Sequence, residues 1–135
     1  MEGVEVLCLD TDVLIDFLRG DPGVAEKVAQ LEEEYILATT AVNLFELYYG
    51  AFKTRKVHKN VKAVDELASR LEVLQFTETS AEISGRIAAE LEKEGRRLDF
   101  RDAMIAGIVL ENHVHLCTRN LKHFRRIDGI KLRKI

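Results

Sequence analysis

Apolar residues fall along this chain in two alternating rhythms. Short apolar runs, bounded by polar residues, recur at Val4–Leu9, Tyr35–Thr39, Val73–Phe76, Val114–Cys117 and Ile130–Leu132. Runs this short and this continuous read as strands covered on both faces, the pattern of a parallel sheet. Between them apolar residues return every three or four positions, as on one face of a helix. Thr11–Arg19 is one such stretch, and Asp21-Pro22 opens a second that ends near Glu34, with Asp as cap and Pro at the first helical position. Thr40 or Asn43 caps a third through Leu44, Leu47 and Tyr48, and Val61, Val64, Leu67, Ala68 and Leu71 mark a fourth. Thr79 with Glu82 reads as a capping box before Ile83, Ile87, Ala88 and Leu91, with Gly95 as the stop. Asp102 opens the last, Ala103–Leu110.

Strands alternating with helices predict an α/β fold, a single three-layer α/β/α domain over residues 1–135 on a short parallel sheet. That length suits one hydrophobic core, and no repeat, linker or low-complexity tract divides it. In such sheets ligands gather at the carboxyl ends of the strands. Asp10 ends the first strand, and Thr118 and Asn120 follow the fourth.

Composition removes several classes. With 47% hydrophobic and 32% charged residues, the chain is neither disordered nor membrane-spanning, and no membrane partner is expected. The start Met1-Glu2-Gly3-Val4-Glu5 is acidic and lacks the features of a signal peptide, so a cytoplasmic location is expected. Cys8 and Cys117 each sit in a strand-like run and are expected as buried free thiols rather than a disulfide framework. A net charge of −3 argues against unspecific adhesion to nucleic acid. The charge is unevenly spread, however. Arg119, Lys122, Arg125, Arg126, Lys131, Arg133 and Lys134 face only Asp128 near the end of the chain, and Lys53, Arg55, Lys56, His58 and Lys59 form a second basic run. Each run alone reads as solvated surface.

The acids change that picture. A carboxylate at the tip of an apolar strand is costly unless paired, hydrogen-bonded or metal-bound, and Asp10 and Asp12 lie just past such a strand. Glu46 stands in a helix otherwise rich in Leu and aromatic residues. Asp99 and Asp102 begin a helix whose Ala103, Ala106 and Gly107 would let it approach the sheet closely. Taken singly, Asp102 and Asp12 are explained as helix caps. Taken together, acids at the ends of noncontiguous elements suit a hard divalent cation bound through oxygen. His113 and His115 would share one strand face, yet no further Cys or His lies at zinc spacing, so they read as structural. Tyr48, Tyr49 and Phe52 read as core or dimer packing in preference to base stacking.

The segment Leu9-Asp10-Thr11-Asp12-Val13-Leu14-Ile15-Asp16 resembles the opening motif of PIN-domain proteins, especially VapC-type toxins of toxin–antitoxin pairs. Ala41–Ala51 is similar to the second motif, with Glu46 as its acid, Asp102-Ala103-Met104-Ile105-Ala106 to the third, and Thr118–Phe124 to the fourth. The match runs in order from Val6 to about Leu132. The resemblance implies an endoribonuclease that uses Mg²⁺ or Mn²⁺, often dimeric and inhibited by a small antitoxin. It implies Asp10, Glu46 and Asp102 as catalytic acids and metal ligands, and Asn120 as a fourth catalytic position. Thr11, Asp12, Asp99 and Thr118 would support them, and Arg119, Lys122, Arg125 and Arg126 would hold RNA phosphates. The chemistry implied is metal-assisted phosphodiester hydrolysis. Asp12 stands where the family commonly has Asn, and is expected to cap the helix. Asp10-Thr11-Asp12 also resembles the first motif of haloacid-dehalogenase-type phosphatases, but Leu14 replaces the Thr or Val of that family and the chain is short for it. The alternative from another class is a non-catalytic module that binds RNA or a partner.

Overall fold

The computed structural model describes residues 4–135, so the Met1–Gly3 part of the acidic start lies outside the described residues. β1 (Glu5–Leu9) leads into α1 (Thr11–Leu18) and α2 (Pro22–Glu34), then β2 (Tyr35–Thr40), α3 (Ala41–Phe52) and α4 (Val57–Ser69). β3 (Glu72–Leu74), α5 (Glu78–Lys93), α6 (Phe100–Asn112), β4 (His115–Cys117), α7 (Leu121–Phe124) and β5 (Leu132–Arg133) complete the order. All strand pairs are parallel and the sheet runs β3-β2-β1-β4-β5, the α/β arrangement that the alternating pattern predicts.

The pleat explains why both faces of the sheet are covered. On β1, Leu7 and Leu9 point to one side, where they pack with Val13, Val24, Leu31 and Leu67 from α1, α2 and α4. Cys8 points to the other, among Ile87, Leu91, Ile105 and Ile108 from α5 and α6. The strand therefore shows no polar face in the sequence. Chain order reverses around β1, which pairs with both β2 and β4, and this is where a doubly covered sheet opens a crevice.

Several local expectations are corrected. The capping box before α5 is Thr77 with Ser80, not Thr79 with Glu82: the Thr77 hydroxyl accepts from Ser80 N at 3.1 Å and the Ser80 hydroxyl from Thr77 N at 2.7 Å. A buried Ser closes that box better than a Glu that water can hold. Asp99, not Asp102, caps α6, accepting from Arg101 N at 2.8 Å, which leaves Asp102 in the first turn with its carboxylate uncommitted to the helix end. Asp10 itself caps α1, so Asp12 is not the cap. Of the small residues of α6, Gly107 admits a helix instead of the sheet: a Cβ there would lie 1.9 Å from Ser84 Oγ and 2.5 Å from Ser80 O on α5, while Ala103 and Ala106 are buried in the cluster that holds Cys8 of β1. His113 and His115 do not share a strand. His113 ends α6 in the left-handed conformation at φ 55°, and only His115 is in β4. β3 is shorter and earlier than Val73–Phe76, and β5 falls later than Ile130–Leu132. Cys8 and Cys117 are buried free thiols, and their register (Leu9 opposite Cys117) sends them to opposite faces.

Candidate active site

β1 and β4 deliver their side chains to one edge, and the polar residues there are more deeply buried than their chemistry tolerates without partners. Asp10 is 7% exposed, and Thr118 and Asn43 are wholly buried. Asp10 finds three donors. Its Oδ1 accepts from Thr11 N at 2.8 Å and Asn43 Nδ2 at 2.9 Å, and its Oδ2 from the Thr118 hydroxyl at 2.7 Å. Thr118 Oγ1 in turn accepts the Asn120 N–H at 2.9 Å. The Thr118 hydroxyl stands 3.4 Å from Asp12 Oδ2, and with its one proton on Asp10 that is the weaker contact.

Asn43 is the residue that sequence reasoning treated only as a helix cap. Its Oδ1 does serve the α3 N-terminus, taking the Thr40 hydroxyl at 2.7 Å and Thr40 N at 3.3 Å. Its Nδ2 faces the other way, donating to Asp10 Oδ1 and, at 2.8 Å, to Thr11 Oγ1. Thr11 then donates to Glu46 Oε1 at 3.0 Å. One buried amide thus ties the acid of β1 to the acid of α3. Its orientation is set by chemistry, because the reverse would aim NH₂ at the donors of Thr40. The only signal in the sequence was its position three residues before Glu46, on the same helix.

Glu46 Oε2 lies 3.3 Å from Arg101 Nη1, and Arg101 Nε lies 3.4 Å from Asp99 Oδ1. Burial raises the Glu46 carboxyl above its ordinary range, against the pull of the Thr11 hydroxyl and the Arg101 guanidinium. Asp99 is lowered, chiefly by the Arg101 N–H. Asp102 is pushed up to about 6 by burial first, then by the charges of Asp10 and Asp99. Opposing this are His123, whose Nδ1 stands 3.7 Å from Asp102 Oδ2, and Arg101 in the same helical turn. Asp12 is raised by burial and by Asp10, while its Oδ1 takes the Val13 N–H and its Oδ2 the Arg119 N–H. Instead of capping α1, Asp12 ties that helix to the loop after β4.

Asn120 touches none of the acids. Its Nδ2 is 2.8 Å from His123 Nδ1, the same ring nitrogen that stands 3.7 Å from Asp102 Oδ2. The basic run divides in two. Arg119 pairs with Asp16, and Arg126 donates to the carbonyls of Arg96 and His123. Lys122 and Arg125 are exposed beside the site.

The donor set fits a hard cation. Every group is an oxygen or a distant imidazole, no thiolate faces the edge, and burial, then the charges of Asp10 and Asp99, raises Asp102 to about 6. Among the described residues no three His, Cys, Asp or Glu side chains stand close enough to enclose an ion. The reason is visible: both Asp10 oxygens are turned to hydrogen-bond donors and Glu46 is drawn to Thr11 and Arg101. Such an arrangement suits a hard cation that keeps several waters and uses one or two carboxylates.

The PIN-domain profile matches residues 7–130. The tRNA(fMet)-specific endonuclease VapC of Salmonella typhimurium is 33% identical over 129 residues, covering 92% of this chain and 93% of that protein. The enzyme of the same name from Shigella flexneri is 30% identical over 123 residues, covering 91% of this chain and 92% of its own. Among solved structures, VapBC2 from Rickettsia felis bound to a DNA fragment from its promoter superposes with a TM-score of 0.89 at 26% identity, covering 96% of this chain and 98% of that one. DNA-bound VapBC from Salmonella typhimurium gives 0.86 at 31% identity, covering 97% and 98%.

Proposed function

Because the chain belongs to the PIN-domain family and is a VapC-type endoribonuclease, the toxin of a toxin–antitoxin pair, we propose that its hydrolysis of RNA depends on Mg²⁺ or Mn²⁺ held by Asp10 and Asp102 with help from Glu46. The observation that carries this reading is Asp102, a carboxyl raised to about 6 by burial and by the charges of the buried Asp10 and of Asp99. A bound cation supplies the charge that lets an anionic phosphodiester approach acids and makes water more acidic. The chain's own residues do the rest. Thr11, Asn43 and Thr118 hold Asp10 rigid, Thr11 steers Glu46, and Asp99 anchors the helix start that carries Asp102. Asp12 fastens the loop that bears Arg119 and Asn120, and Asn120 positions His123 beside Asp102. Lys122 and Arg125 contribute phosphate contacts, and Arg119 and Arg126 join them only by leaving their present partners.

The reading extends to partners. Residues 1–135 act as one nuclease domain in the cytoplasm, and no described helix is long and apolar enough to cross a membrane. An apolar groove of about 280 Å³, lined by Ile15, Leu18, Leu47, Ala51 and Val64, ends at Arg19 and Glu46 and supports a docked antitoxin segment. Exposed Phe45, Tyr49 and Phe52 on one stripe of α3 support a homodimer.

The test is cleavage of initiator tRNA, the substrate named for the relatives, with Mg²⁺ or Mn²⁺ and with EDTA. Asp10→Asn and Asp102→Asn should each lose at least about a hundredfold in rate while circular dichroism shows the parent fold. A folded variant that cleaves at the parent rate, or parent activity undiminished in EDTA, refutes the assignment.

A further inference from the structure

Arg101 is the one Arg or Lys among the described residues whose side chain pairs with a carboxylate of the Asp10, Glu46 and Asp102 cluster. Its position is dictated from below. It is the second residue of α6, its N–H is held by the Asp99 cap at 2.8 Å, and its side chain leaves the helix toward α3. The guanidinium spans two acids from different elements, 3.3 Å from Glu46 Oε2 and 3.4 Å from Asp99 Oδ1. The two oxygens of Glu46 are treated differently. Oε1 keeps the Thr11 hydroxyl, itself fixed by buried Asn43, whereas Oε2 has only a guanidinium whose side chain is 52% exposed. A half-exposed ion pair is weak and exchanges readily. Glu46 therefore has one permanent partner and one replaceable one.

We infer that Arg101 is the resident counter-cation of the site: it neutralises Glu46 while no divalent ion is bound and gives Glu46 up when one binds. This rests on the reading that the acids hold a divalent cation. Of the other nearby cations, Arg119 is held by Asp16 and Arg126 by backbone carbonyls, while Lys122 and Arg125 pair with no acid of the cluster. Arg101 also shares the first turn of α6 with Asp102, so its release frees Glu46 at the same edge where Asp102 lies. Metal affinity is then set partly by the cost of displacing a side chain of the protein itself.

The experiment is Mn²⁺ titration by calorimetry on RNA-free protein, for the parent, Arg101→Gln, Arg101→Met, Arg101→Lys and the neighbouring Arg97→Gln. Both neutral variants should bind Mn²⁺ roughly three- to tenfold tighter, as expected for removing a competing half-exposed charge. Arg101→Lys and Arg97→Gln should stay near the parent. In a Glu46→Gln background the gain from Arg101→Gln should vanish. Thermal melts add a readout that a merely structural tie does not move: the Mn²⁺-induced rise in melting temperature should be larger in the neutral variants than in the parent. Equal or weaker binding by the neutral variants, or an equal gain in Arg97→Gln, overturns the inference alone. No Mn²⁺ binding by the parent overturns the metal reading with it.

Discussion

At the scale of single residues, the site is built from side chains that each serve two structures at once. Asp10 ends a strand, caps a helix and faces the cleft. Asn43 caps α3 and braces both Asp10 and Glu46. For Asn43 the sequence names the cap and misses the brace, because the far side of an amide is aimed by tertiary packing; for Asp10 it names the acid and misses the cap, which it gives to Asp12. Asp102 shows the energetic side. Its pKa is raised to about 6 by burial, then by Asp10 and Asp99, so the folded protein holds that proton more tightly than the unfolded chain does. The sign follows. Between roughly pH 4 and 6 stability falls as pH rises, and above that window the ionised carboxylate is a standing cost. Asp102→Asn removes the cost. In EDTA at pH 7.5 it should raise stability by about 1–2 kcal/mol, a few degrees in melting temperature. The gain should shrink to nothing near pH 4, as scanning calorimetry across the range would show. A variant less stable than the parent at pH 7.5 would mean that Asp102 is already compensated in the folded protein.

Among the elements, every strand and helix expected from the apolar rhythm is present; the errors lie at their ends and in α7, a four-residue helix that the rhythm does not mark. Periodicity reports which face of a helix is buried and says little about where it starts. Asp99 and Asp102 are both good caps three residues apart, and only packing chooses between them. The choice matters, because the residue that loses the cap keeps its carboxylate for the cleft. Gly107 is a second case. In the sequence it is one small residue among several, and in the fold it is the point where α6 lies against α5. Gly107→Ala gains about 1 kcal/mol of helix propensity yet forces a Cβ into Ser84 and the Ser80 carbonyl, so a net loss of about 2–4 kcal/mol is expected by urea denaturation. Ser84→Ala should be neutral or stabilising, since that hydroxyl is buried with no partner among the described residues. The pair Ser84→Ala/Gly107→Ala should remain less stable than Ser84→Ala alone, because the Ser80 carbonyl 2.5 Å from the new Cβ stays in place. Full recovery in the double variant would show that the helices separate freely.

Viewed as a whole molecule, the protein carries its acids at one edge of the sheet and an aromatic stripe beside them. Phe45 and Phe52 are 60% and 62% exposed, so replacing them disturbs little of the fold. Sedimentation of the parent should give about twice the chain mass of 15.4 kDa, and Phe45→Asp/Phe52→Asp should shift it toward one. A monomeric parent refutes the homodimer, and an unshifted variant moves its interface elsewhere. The hydrogen bond from Thr118 to Asp10 has a different consequence. It joins residues 108 positions apart, and the central strand waits for a partner made long after it. A chain released or stalled before residue 118 has Asp10, Glu46 and Asp102 but neither the hydroxyl that braces the first acid nor the loop that brings His123 to the last. For a protein that cleaves RNA the order of synthesis therefore matters: the braced cutting edge is assembled only once β4 and the loop after it have been made.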